Sequence, residues 1–110
     1  MKNLFDYIKF LGLKKPVNIR IITKYYKHAD AEYMPVYSDK TGKLKEHKLW
    51  IYLCNNTRDF NTLLAHELIH AWQEENKIEE IHGPAFIKCA RKMETEFNLK
   101  EIYIEGVDEE

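Results

Sequence analysis

The chain has 110 residues, 45% of them hydrophobic, with 7 Tyr, 5 Phe and 2 Trp, enough for one core in one domain and too apolar for a disordered chain. Its 17 basic and 18 acidic side chains leave a formal net charge of −1, which offers no electrostatic case for nucleic-acid binding. Cys54 and Cys89 lie far apart, form no C-x-x-C pair, and read as buried thiols in a reducing, cytoplasmic setting rather than as a disulfide.

The opening stretch, MKNLFDYIKFLGLKK, reads as neither a signal peptide nor a membrane span, because Asp6 and Lys9 interrupt its apolar run. Leu4, Phe5, Ile8 and Leu11 recur at helical spacing, which predicts a short amphipathic helix over 2–13 that Lys14-Lys15-Pro16 ends. Residues 17–27 are β-branched and aromatic, with Val17, Ile19 and Ile21 alternating as on a half-buried strand. A second strand is expected over 32–38, at an edge or bulge because of Pro35. A turn at Asp39 to Lys43, with Gly42 available for a positive φ, leads to a third strand over 48–54 and closes a hairpin.

Asp59, Asn61 and Thr62 offer N-cap chemistry for a helix from about 62 to 76. A polar loop follows, and His82-Gly83-Pro84 opens a last helix striped by Phe86, Cys89, Ala90, Met93 and Phe97. The order implies an α+β domain over 1–110, with helices on one face of a small antiparallel three-stranded sheet and a tail that frays over about 105–110.

Within TLLAHELIHAWQ stand His66, Glu67 and His70, the pattern H-E-x-x-H. At about 100° per residue the two histidines point within about 40° of each other. Their Cβ atoms then lie roughly 5–6 Å apart, so both rings can reach one ion. Leu64, Leu68, Ala71 and Trp72 form an apolar anchor on the other side. Glu67 stands beside the pair without filling a ligand position, where a carboxylate can take a proton from a zinc-bound water as that water attacks a carbonyl. The same five letters also fit an ordinary surface helix.

Catalytic zinc takes three protein ligands and a water, so a third ligand has to come from elsewhere. Glu74 and Glu75 stay on the same helix, and Glu79 and Glu80 sit in a polar loop where a solvated charge run is the plain reading. His82 lies 12 residues beyond His70, far enough for the chain to leave the helix, turn back and bring a ring over it.

LLAHELIHAWQ followed by HGPAF resembles the SprT-like family of zinc metallopeptidases, which includes the Spartan DNA–protein crosslink proteases. The resemblance covers roughly Leu49 to Met93, with the strand LWIYLCNN leading into the helix. It implies a zincin-like core in which one zinc ion is bound by His66, His70 and His82 plus a water, with Glu67 as the catalytic acid/base. It implies a hydrolase that cleaves a protein or peptide substrate, and a weak association with DNA. The zinc ribbon that many such proteins carry has no counterpart in the cysteines here, so the resemblance is to a minimal catalytic domain.

His28 and His47 read as surface or sheet residues, and Tyr25, Tyr26, Tyr33, Tyr37 and Tyr52 as sheet packing. A tyrosine near the metal would stabilise an oxyanion, but the sequence does not single one out. Gln73 reads as an exposed amide, with a hydrogen bond to a ligand histidine as the alternative. A substrate chain would lie extended along an edge strand. Two other readings stay open: a metal-stabilised binding module without turnover, and a zinc hydrolase acting on nucleic acid.

Overall fold

The structure is a computed structural model that describes residues 4–24, 30–53, 58–105 and 107–108. Among these the chain runs α1 (Leu4–Leu11), β1 (Val17–Ile22), β2 (Ala31–Tyr37), β3 (Leu44–Tyr52), α2 (Phe60–Glu75) and α3 (Pro84–Phe97). The α+β class and the order of elements follow the pattern of the sequence. Tyr25, Tyr26, Lys27, His28, Cys54 and Asn55 to Thr57 lie outside the described residues.

The sheet is mixed, which corrects the expectation of a purely antiparallel one. Its order is β1-β3-β2, with β2 antiparallel and β1 parallel to β3. Two chain reversals separate β1 from β3, so these two strands run the same way. Had β1 settled beside β2, every pair would have been antiparallel. β3, at the centre, is the most buried of the three strands, with Leu49 and Ile51 both fully buried. Pro35 sits on the edge strand β2, where its missing N–H leaves no ladder bond unmade, and a bulge follows between Val36 and Tyr37.

α2 packs against both β2 and β3 and against α1 and α3. It is more enclosed than an amphipathic surface helix: every residue from Thr62 to Ile69 is buried. The core joins Leu49 and Ile51 of β3 to Leu64, Leu68 and Ile69 of α2 and to Phe86, Ala90 and Met93 of α3. Leu63 also joins this core.

The ends of α2 aim the next segment. Asp59 caps the start, its carboxylate accepting from the Asn61 N–H at 3.2 Å. After the C-cap Asn76, Lys77 adopts a left-handed conformation (φ 56°) and the Ile78 N–H returns to the Gln73 carbonyl at 2.9 Å. The chain thereby doubles back toward α2 before Pro84 starts α3 at its first turn.

Candidate metal centre

His66, His70 and His82 come together, one ring nitrogen of each lying within 4.8 Å of the others. The Nε2 atoms of His66 and His82 are 3.3 Å apart. A tetrahedral zinc with Zn–N bonds of about 2.0–2.1 Å holds its nitrogens about 3.3–3.4 Å apart, so this pair already has the spacing of two ligands.

Each α2 histidine is oriented by its other nitrogen. His66 Nδ1–H donates to the Ile102 carbonyl at 2.6 Å, and His70 Nδ1–H donates to Gln73 Oε1 at 2.9 Å. Carrying the proton on Nδ1 leaves the Nε2 lone pairs for a metal, the arrangement by which outer partners set the tautomer of a ligand. Burial holds both rings neutral, lowering His66 to about 4 and His70 to about 3.

Phe86 lies beneath the three rings. Its centroid is 4.8 Å from that of His66 and 4.9 Å from those of His70 and His82, and it is fully buried. The H-G-P-x-F segment therefore contributes a floor as well as a histidine. Its glycine has a packing reason: a Cβ at Gly83 would stand 2.8 Å from Glu80 Cβ.

Glu67 is buried beside His66 and lines the same cleft. Burial pushes its carboxyl up to about 8, against the pull of Arg58, with Asp108 and Glu32 adding to the rise. A cation among the histidines would favour the ionised form and draw that value back down. The cleft has a volume of about 1110 Å³ and runs along the edge strand β2, where Ala31, Tyr33 and Pro35 line it.

Several side chains took places the sequence did not disclose. Gln73 is buried, not exposed, and its amide nitrogen donates to the Glu80 carbonyl at 2.9 Å. It thus ties the returning loop to His70. Glu75 is not a ligand: its carboxylate accepts from His47 Nε2 at 2.7 Å and from the Lys14 and Lys15 N–H groups. Burial would raise Glu75, but those bonds outweigh it and hold the carboxyl below its usual range. Glu74 and Glu79 line the cleft outside the ligand group.

His47 is a fully buried sheet residue, and no ligand. Its Nε2–H donates to the Glu75 carboxylate, and its Nδ1 lies 2.7 Å from the Tyr33 hydroxyl. Among the described strand tyrosines Tyr33 stands nearest the three histidines, 6.4 Å from the His70 ring between centroids. Its hydroxyl is engaged with His47. Its own ionisation is driven well up, first by burial and then by Glu74 and Glu75. Tyr52 turns elsewhere and donates to Glu32 at 2.6 Å.

The largest omission from the sequence reading is the segment after α3. Arg58, Ile102 and Asp108 stand around His66, and Asp108, in the stretch expected to fray, is paired with Arg58 at 2.7 Å. No spacing signal marked them, because they meet only through folding.

Compared with protein-family models, the chain matches none. It matches no curated protein and no solved structure either. Among the described residues no helix is long and apolar enough to cross a membrane.

Proposed function

We propose that this protein is a zinc-dependent peptidase of the SprT-like kind. The observation that carries the reading is the meeting of His66, His70 and His82 with two Nε2 atoms at ligand spacing, beside the buried carboxyl of Glu67. Zinc bound there would lower the pKa of an adjacent water toward about 7 and polarise a substrate carbonyl.

The chain's own residues supply the rest. The three imidazoles would hold the ion, with His66 and His70 set in the tautomer a ligand needs by Ile102 and Gln73. Glu67 accepts the proton of the attacking water and returns it to the leaving amine, while the oxygen joins the carbonyl carbon and the C–N bond breaks. Without metal, burial raises that carboxyl to about 8; a cation at the histidines would favour the ionised form, the form that accepts a proton. β2 is the outer strand of the sheet among the described residues and lines the cleft, which suits an extended protein chain whose backbone would continue the sheet.

Glu67→Gln tests the reading. The variant should keep its zinc and lose hydrolysis of an unfolded protein. Equal turnover by parent and variant would remove the catalytic role of Glu67. Zinc binding with no hydrolysis by the parent would favour a binding module, and chelator-sensitive cleavage of single-stranded RNA would favour a nucleic-acid hydrolase. His82→Ala checks the ligand set, and undiminished zinc affinity would exclude His82.

A further inference from the structure

Residues 100–104 belong to no helix or strand, yet six side chains from other parts of the chain bond to their backbone. Thr62 Oγ1 donates to the Lys100 carbonyl at 3.0 Å, and Arg58 Nη1 donates to the Glu101 and Ile102 carbonyls at 3.2 and 3.3 Å. The Ile102 N–H donates to Glu94 Oε2 at 3.0 Å, and Arg91 Nη2 donates to the Tyr103 carbonyl at 3.3 Å. Glu101 is held with φ 62°, a left-handed backbone that a glutamate rarely adopts. The centre of this grip is the Ile102 carbonyl, which accepts from Arg58 and from the ligand His66 together.

Arg58 is itself held. Its guanidinium forks onto Asp108, with Nη2 to Oδ1 at 2.7 Å and Nη1 to Oδ2 at 3.1 Å. Asp108 Oδ2 also accepts the Ile104 N–H at 2.6 Å, so the pair closes a loop around the segment. The two side chains are only 9% and 8% exposed. A buried ion pair is weak support for stability, since desolvation offsets much of its attraction. Among the described residues Arg58 Nε is buried with no hydrogen-bond partner, so the side chain keeps its fork aimed at an added desolvation penalty. What the arrangement does secure is the place of one carbonyl oxygen behind His66.

We propose that Arg58 and Asp108 are positioning residues for the metal centre, clamping the segment after α3 so that the Ile102 carbonyl fixes the tautomer and ring orientation of His66. The inference rests on the zinc reading given above and adds a part to it: the centre is closed from behind by sequence that lies beyond both of its motifs. It also couples the two sites. Whatever fixes the segment tightens zinc, and by linkage zinc tightens the segment.

The test uses the full chain with Arg58→Lys, which keeps the charge without the fork, and Asp108→Asn, which keeps the shape without the charge. Zinc affinity is read by chelator competition, the melting temperature without metal reports the fold, and nitrogen NMR of the zinc-loaded protein reads the His66 Nδ1–H. Both variants should bind zinc roughly tenfold to a hundredfold more weakly, the range for lost outer partners of a ligand. Asp108→Asn, which leaves the buried Arg58 charge unpaired, should also lower the metal-free melting temperature, so zinc affinity is compared at a temperature where each variant is folded, and the His66 Nδ1–H should exchange faster with water in both. Unchanged affinity, or an unchanged His66 signal, overturns the proposal.

If neither variant folds, the parent alone decides. Zinc should slow hydrogen exchange at the Ile104 amide, which is bound to Asp108, and no slowing would refute the coupling. A parent that binds no zinc, or a His82→Ala variant that binds it undiminished, would instead show that the zinc reading itself fails.

Discussion

Gln73 joins His70 to the loop that returns over it: its amide oxygen accepts from His70 Nδ1 at 2.9 Å while its amide nitrogen donates to the Glu80 carbonyl at 2.9 Å. One amide therefore sets the tautomer of His70 and anchors the segment that delivers His82. Gln73→Ala should weaken zinc binding by roughly tenfold to a hundredfold through His70 alone. Chelator competition would measure it, and parental affinity would mean that His70 is oriented without Gln73.

Phe86 supports all three imidazoles from below and has no exposed surface. Phe86→Ala should destabilise the protein by roughly 3–5 kcal/mol, since the void removes apolar contacts that the enclosing helices cannot fully collapse upon. It should also weaken zinc binding, because the rings lose their floor. Phe86→Leu should show a smaller loss of each. Urea denaturation with and without zinc separates the two effects, and a stable Phe86→Ala protein with parental zinc affinity would contradict this role.

Glu67 carries a stability consequence that depends on pH. Burial raises its folded value from 4.5 to about 8, so between those values the folded protein retains a proton that the unfolded chain has released. Stability tied to this group is therefore fully present below about pH 4.5 and declines as pH rises through about 8. Glu67→Gln does not titrate and escapes that decline. Without metal, the variant should melt higher than the parent at pH 8 and near the parent at pH 4. Thermal melts across that range in chelator are the check, and a difference that does not change with pH would refute the buried-acid account. Zinc should shrink the difference by favouring the ionised parent carboxylate.

The features legible in the sequence are those written over short distances. The spacing of His66 and His70 puts them on adjacent turns wherever the helix lies. Asp59 before the apolar run marks the cap that forms, and Pro35 marks an edge strand. His82 was legible because Gly83-Pro84 starts a helix there, which left the loop from His70 free to turn back. Gln73 was not, because its place on α2 does not say whether the returning loop covers it. Tyr33 and His47 lie on neighbouring strands, but their register became known only when the ladder formed. The parallel placement of β1 depends on which edge of the hairpin it joins, and strand pattern is silent on that choice.

The sequence by itself determined the elements, the two histidines and carboxylate of one helix turn, and the third histidine at the start of another. Periodicity and turn chemistry act within a few residues and need no other part of the chain. Only the tertiary structure decided how those ligands are held: Phe86 beneath the rings, Gln73 behind His70, and Ile102 behind His66 under the grip of Arg58 and Asp108. Those contacts join residues as much as 50 positions apart, as between Arg58 and Asp108. Their geometry is set by how the helices and the last segment pack around one core, and local sequence does not encode it.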